Sequence, residues 1–137
     1  MKRINGRAII IDGDEVLLMF RRKIKDGIVN EYYAIPGGGK EENETIEECV
    51  VREIKEEFNL DIEVKEYLGK VEDDKNIGYI YNTKIIGGTF KLGGEELDHN
   101  TEDNYYEVQR VKLSEIDNIN LFEENKELIR KAIELNK

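Results

Sequence analysis

Residues 37–60 read GGGKEENETIEECVVREIKEEFNL: a glycine triplet, a polar connection and a helix-forming run without interruption. Thr45 with Glu48 three residues on is a capping box and predicts a helix beginning just after Thr45. The run extends to about Phe58, and Asn59 stands where a helix stop favours a left-handed residue. At about 100° per residue, Ile46, Val50 and Ile54 fall in a sector roughly 80° wide, extended by Val51 and Phe58 on one side and Cys49 on the other. Glu57 projects between Ile46 and Val50, and Glu53 between Cys49 and Ile46. Both carboxylates therefore lie on or beside the apolar stripe, with Glu56 a third within reach.

Burying an unpaired carboxylate costs several kcal/mol or forces its protonation, so this placement requires compensation. One reading is a solvated acidic surface with basic neighbours and glycines that merely turn the chain. The other is a divalent-cation site, because hard cations take carboxylate and carbonyl oxygens and retain waters. Glycines suit the second reading, since a backbone without Cβ atoms can approach a metal or a phosphate closely. Arg52 can orient a carboxylate through a two-pronged contact, and Glu44 is the expected partner. Cys49 reads as a small buried helix residue, not a nucleophile.

Working outward, RAIIID (7–12) and EVLLMFRR (15–22) are apolar runs around Gly13-Asp14 and predict a hairpin near the sheet centre. Residues 23–30 are polar and predict a loop, and EYYAI (31–35) a short strand ended by Pro36, the only proline. Beyond the helix, 61–73 and 77–88 predict strands around a polar turn at 73–76, with a short TFKL segment (89–92) and an acidic loop over 95–104. YYEVQRVKL (105–113) predicts the last strand. Ser114 or Asp117 opens a helical region, and a helix over 121–135 should carry Leu121, Phe122, Leu128, Ile129, Ala132, Ile133 and Leu135 onto the sheet. No repeat or linker interrupts this order. It implies an α+β or mixed α/β sandwich, a sheet flanked by the two helices.

The 137 residues suit a single domain spanning 1–137, with room for one core. A composition 39% hydrophobic and 38% charged, without low-complexity tracts, favours a folded soluble chain over disorder. The net charge of −10, from 21 Lys+Arg against 31 Asp+Glu, disfavours nucleic-acid polymers and anionic membranes as partners. Bridging divalent cations still permit a phosphorylated small molecule. One cysteine and one histidine exclude a disulfide framework and any Cys- or His-rich metal site, so metal ligands must be oxygens. The opening MKRINGRAIIIDGDE has too short an apolar run for a signal peptide or membrane span, and a cytoplasmic location is the simplest expectation. Exposed strand edges are compatible with a homodimer.

Gly38, five residues, Glu44, seven residues, Arg52-Glu53-Ile54, one residue, Glu56-Glu57, one residue and Asn59-Leu60 together resemble the Nudix box, G-x5-E-x7-R-E-U-x-E-E-x-G-U. Only the final Gly differs, and Asn59 tolerates the same backbone conformation. The order of elements across most of the chain also resembles a Nudix domain.

The resemblance implies a Nudix-type α/β/α sandwich and Mg²⁺- or Mn²⁺-dependent hydrolysis of a nucleoside diphosphate linked to another group. Candidate substrates include a nucleoside triphosphate, an oxidised dNTP and ADP-ribose. It further implies Glu56 and Glu57 as principal metal ligands with a carbonyl at Gly37 or Gly38. Glu53 becomes a further ligand or the base that activates water, and Glu44 and Arg52 become positioning residues. A base can also come from outside the box: Glu95, Glu96, Asp98, Glu102, Asp103 and Glu107 are candidates. Glu107 is preferred because YEVQRV resembles the family strand whose leading glutamate reaches the metal, although a plain surface position remains open. For substrate, Gly38, Gly39, Arg21 and Tyr105 are the expected contacts; Tyr32, Tyr33, Tyr79, Tyr81 and Tyr106 can also stack on a base. Arg22, Lys23 and His99 are further candidates, each with a solvated-surface alternative. A non-catalytic Nudix module that senses a nucleotide is the alternative function.

Overall fold

Thr45 accepts from the Glu48 backbone N–H and the Glu48 carboxylate accepts from the Thr45 N–H, so the expected capping box starts α1, Ile46–Phe58. Asn59 closes the helix at φ 58° and ψ 33°, in the left-handed conformation, with its N–H donating to the Lys55 carbonyl. The helix buries Cys49, Val50, Ile54 and Phe58. Val51, expected to widen that face, is 39% exposed, since it stands about 100° around the helix from Val50 and clears the sheet.

The computed structural model describes residues 1–91 and 104–137. Within them, seven strands form one mixed sheet. β1 (Arg3–Asp12) and β2 (Glu15–Lys25) make the expected hairpin, yet they pair only at Ile11↔Val16 and Asp12↔Glu15 before parting. β1 then runs parallel to β6 (Asn76–Gly88), which pairs antiparallel with β5 (Leu60–Glu72). β2 instead pairs antiparallel with β3 (Ile28–Ala34) and β7 (Asn104–Lys112).

Two segments expected as loops are strands. Residues 23–30 complete a β2–β3 hairpin around Asp26 and Gly27, whose φ values of 53° and 76° give the two-residue turn that follows the twist of paired strands. The glycine triplet forms β4, Gly37–Gly39, paired antiparallel with Asn5, Gly6 and Arg7 on the part of β1 that has left β2. At the C-terminal end, a 3-10 turn over Leu113–Asn118 precedes α2, Glu123–Leu135. Leu121 is buried ahead of α2, but Phe122, expected on its apolar stripe, is its N-cap residue and is 77% exposed. Leu135 is exposed as well. The TFKL segment is described only to Lys91, where it is not a strand, and the acidic loop expected over 95–104 lies outside the described residues except for Asn104.

Strand alternation sorts the core into two layers. Ala8, Ile10, Leu17 and Met19 pack under α1 with Val50, Ile54 and Phe58. Ile9, Val16, Leu18 and Ile80 pack with Ile129 and Ala132 of α2 on the other face. The helices therefore cover opposite faces of the sheet. Phe58 is fully buried in the first layer. Phe58→Ala should lower unfolding stability by about 3–5 kcal/mol, read as a shifted urea midpoint at unchanged slope; a loss below 1 kcal/mol would contradict this packing.

Candidate active site

The parting of β1 from β2 leaves a cleft beside β4. A cavity of about 240 Å³ opens there, walled by β4, by Glu53 and Glu57 from α1, and by Arg7 from β1 and Arg21 from β2. Gly38 is a requirement of this arrangement: a Cβ there would collide with the Glu53 carboxylate. A Cβ on Gly39 would collide with the Arg3 guanidinium. The triplet thus lets a carboxylate and a guanidinium lie directly against the backbone, as expected of glycines that admit ligands closely.

Arg52 organises the carboxylates. Its Nε and Nη2 donate to the two oxygens of Glu44, at 3.1 and 2.8 Å, the two-pronged contact expected between them. Nη2 also donates to the Gly39 carbonyl at 3.0 Å, while Nη1 donates to Glu53 at 2.9 Å and to Glu56 at 3.3 Å. One side chain therefore ties the turn before α1 and strand β4 to the acidic face of the helix. The Arg52 hydrogen bond, followed by that of the Glu41 backbone N–H, holds the Glu44 carboxyl down to about 2. Arg52 is raised in turn, first by Glu44 and against the opposing effect of burial. Cys49 is fully buried, its thiol is pushed up by that burial, and Sγ donates weakly to the Gly38 carbonyl at 3.4 Å.

Glu53 and Glu57 line one side of the cleft with β4, and the Glu53 carboxylate fills the space directly above Gly38. Among the described residues no three acidic, His or Cys side chains converge into a closed cluster, and Arg52 bridges Glu53 and Glu56.

Across the cleft, Arg21 stacks on Tyr106 with its guanidinium carbon 4.1 Å from the ring centroid and donates to the tyrosine hydroxyl. Arg7 donates to the Ile35 carbonyl at 2.8 Å; burial lowers its pKa, with Glu57 the leading opposing influence.

Gly37, Gly38, Gly39, Glu53, Glu57 and Arg21 thus meet at one cavity as the sequence suggests, with Glu56 and Glu44 joined to it through Arg52. Glu107 and Tyr105 do not line it. Register pairs Phe20 with Glu107, Arg21 with Tyr106 and Arg22 with Tyr105, and alternation turns Glu107 and Tyr105 to the α2 side of the sheet. There Glu107 accepts from Gln109 at 3.1 Å, and Arg22 lies over Tyr105. Glu95, Glu96, Asp98, His99, Glu102 and Asp103 fall outside the described residues. Arg3 and Arg7 were not foreseen. The only trace of Arg7 in the sequence is a cation heading the apolar run 8–11, which reads equally as a strand end.

The family model described as NUDIX domain matches residues 1–132, and the chain belongs to that family. It is 38% identical over 92 residues to an ADP-ribose pyrophosphatase of Methanocaldococcus jannaschii, a stretch covering 63% of this chain and 53% of that protein. It is 36% identical over 62 residues to the NAD-capped RNA hydrolase NudC of Pseudomonas aeruginosa, covering 45% of this chain and 21% of that protein. The chain therefore spans about half or less of the length of these curated relatives. In solved structures, a NUDIX-family hydrolase from Clostridium perfringens matches with a TM-score of 0.73 at 17% identity, over 100% of this chain and 99% of that one. A MutT NUDIX hydrolase from Burkholderia pseudomallei matches with a TM-score of 0.72 at 18% identity, over 95% and 97%. These two likenesses establish a shared fold. No helix among the described residues is long and apolar enough to cross a membrane.

The depressed Glu44 pKa has a signed consequence. A carboxyl held lower in the folded state than in the unfolded chain stabilises fully above its ordinary value of 4.5, and that stability is lost as pH falls towards about 2. Glu44→Gln should therefore unfold at lower urea concentration than the wild type at pH 7, and the difference should shrink steadily below pH 4.5. Equal differences at pH 7 and pH 3 would show that Arg52 does not discriminate the charged form.

Proposed function

We propose that the chain is a pyrophosphohydrolase that uses Mg²⁺ or Mn²⁺ to cleave the diphosphate linkage of a nucleoside diphosphate joined to another group. The observation that carries this is the cleft itself, where Glu53 and Glu57 face Arg7 and Arg21 across a glycine ledge. The two sides match the two halves of a metal-bound diphosphate. Family membership and the likeness to an ADP-ribose pyrophosphatase support the same reading.

Glu56 and Glu57, with a carbonyl of Gly37 or Gly38, would hold the cation, and Glu53 would be either a further ligand or the base. When bound, the cation would withdraw charge from the phosphoryl oxygens and acidify a water. As the base, Glu53, packed over Gly38, would take the water's proton as the new bond to phosphorus forms and the bridging P–O bond breaks. Arg52 and Glu44 act by positioning. Arg52 holds Glu53 and Glu56 in one orientation, and Glu44 holds Arg52. The guanidinium on the far wall offsets the charge of the departing phosphate. Small phosphorylated molecules are the expected partners.

The test is purified protein with Mg²⁺ or Mn²⁺ against nucleoside triphosphates, oxidised dGTP, ADP-ribose, nucleotide sugars and dinucleoside polyphosphates. At least one should release phosphate products only with metal, and Glu57→Gln should lower kcat on the order of a hundredfold. Unchanged turnover in Glu57→Gln would sink the site assignment. Absent turnover on every substrate would support the non-catalytic nucleotide-sensing module instead, and metal-independent turnover would remove the cation from the proposal.

A further inference from the structure

Arg52 is matched by Glu44 and Glu53, Arg110 by Asp12, and Arg130 by Asp117 and Glu123, whereas Arg22, on the other face of the sheet, stacks on Tyr105 without an ion pair among the described residues. Arg3, Arg7 and Arg21 are set apart by meeting at one cavity. All three line the cleft cavity, and none takes part in an ion pair among the described residues. They are also close enough to be felt by one another, since Arg3 and Arg21 both act on Arg7 as repelling charges. Their fixed polar contacts are few. Arg7 spends one N–H on the Ile35 carbonyl, Arg21 one on the Tyr106 hydroxyl, and the buried Arg21 Nε has no hydrogen-bond partner.

Gathering three guanidinium groups against their mutual repulsion, in a chain of net charge −10 with carboxylates in excess, costs stability unless an anion completes the group. Glu53 and Glu57 are the carboxylates lining this cavity. Once they are committed to a cation, no carboxylate among the described residues that line the cavity is left to offset the three arginines. A diphosphate bridging two sugars brings two negative charges, whereas a nucleoside triphosphate brings about four, with a terminal phosphate whose three oxygens suit forked guanidinium donors.

Resting on the hydrolase reading above, we infer that Arg3, Arg7 and Arg21 form a specificity-determining wall that selects substrates ending in a free phosphate, of the nucleoside triphosphate class, over diphosphates capped at both ends such as ADP-ribose. Arg21 is held by stacking on Tyr106, and Arg3 lies in the space that Gly39 leaves. The selection is therefore made by side chains outside the box.

Calorimetric binding of non-hydrolysable analogues in Mg²⁺, where Glu53 and Glu57 are committed to the cation, separates this wall from turnover. The full chain should bind a nucleoside triphosphate at least tenfold more tightly than ADP-ribose, with the steeper salt dependence for the triphosphate. Arg3→Gln, at the more exposed position, should weaken triphosphate binding fivefold or more while changing ADP-ribose binding less than twofold, and Arg21→Gln should weaken both ligands with the larger loss for the triphosphate. Circular dichroism checks that each variant is folded, and Arg21→Lys should restore only part of the affinity. Equal or tighter binding of ADP-ribose, equal weakening of both ligands, or no binding of either would overturn the inference. Mg²⁺-dependent ADP-ribose cleavage indifferent to these arginines would leave the hydrolase standing and remove the wall. Selective triphosphate binding without metal-dependent cleavage would do the reverse.

Discussion

The site depends on how one guanidinium distributes its hydrogen bonds. Arg52 reaches Glu44 with two nitrogens, the Gly39 carbonyl with one of these again, and Glu53 and Glu56 with the third. These partners belong to three pieces of backbone, the turn before α1, the strand β4 and the helix. A lysine, with one point charge and no planar fork, cannot span them. The pairs differ in worth. The Arg52 and Glu44 side chains are only 24% and 14% exposed, so their contact is weakly screened, whereas Glu56 at 57% contributes orientation more than stability. Without this hub, carboxylates beside an apolar stripe would repel one another and turn to solvent.

What the sequence made legible follows from the reach of each interaction. Thr45, Glu48 and Asn59 act within one helical turn, so their spacing alone announces the ends of α1. Arg52 and Glu44 are two helical turns apart across a cap, and the pairing of their chemistry survives that distance. The β2–β3 hairpin was hidden because β3 lies at the sheet edge, with Ile28 71% and Val29 55% exposed, so it lacks the half-buried alternation that marks a strand. β4 was hidden more completely. Three glycines carry no side-chain pattern, and their strand exists because Asn5, Gly6 and Arg7 of β1 are not paired with β2 and leave an edge free for them.

The same logic explains which site residues could not be read. Tyr105 and Tyr106 are adjacent and chemically alike, and only the register Arg21↔Tyr106 turns one of them to the cleft. A slip of one residue would have exchanged them and brought Glu107 round as well. Arg3 and Arg7 are separated from Arg21 by the β1–β2 turn. They meet it because the two strands diverge around the cleft and leave room for Ile35, Pro36 and β4 between them. Nothing in local spacing encodes that divergence.

Arg52 and Arg21 differ in what meets their charge. A guanidinium whose donors are met by carboxylates, as in Arg52, fixes geometry and leaves little potential for a ligand. Arg21 has no ion pair among the described residues and faces the cleft, so under the proposed reading it would keep its potential for an incoming anion. In a protein of net charge −10, such a local reversal is short-ranged, because solvent screens charge beyond about 8–10 Å. Affinity for a phosphorylated molecule would then rest on the short-range match between the arginines and the phosphate oxygens. The glycine ledge sets that range. With side chains at Gly38 and Gly39, Glu53 and Arg3 could not lie against the backbone as they do, and the acidic and basic walls would no longer share one cavity.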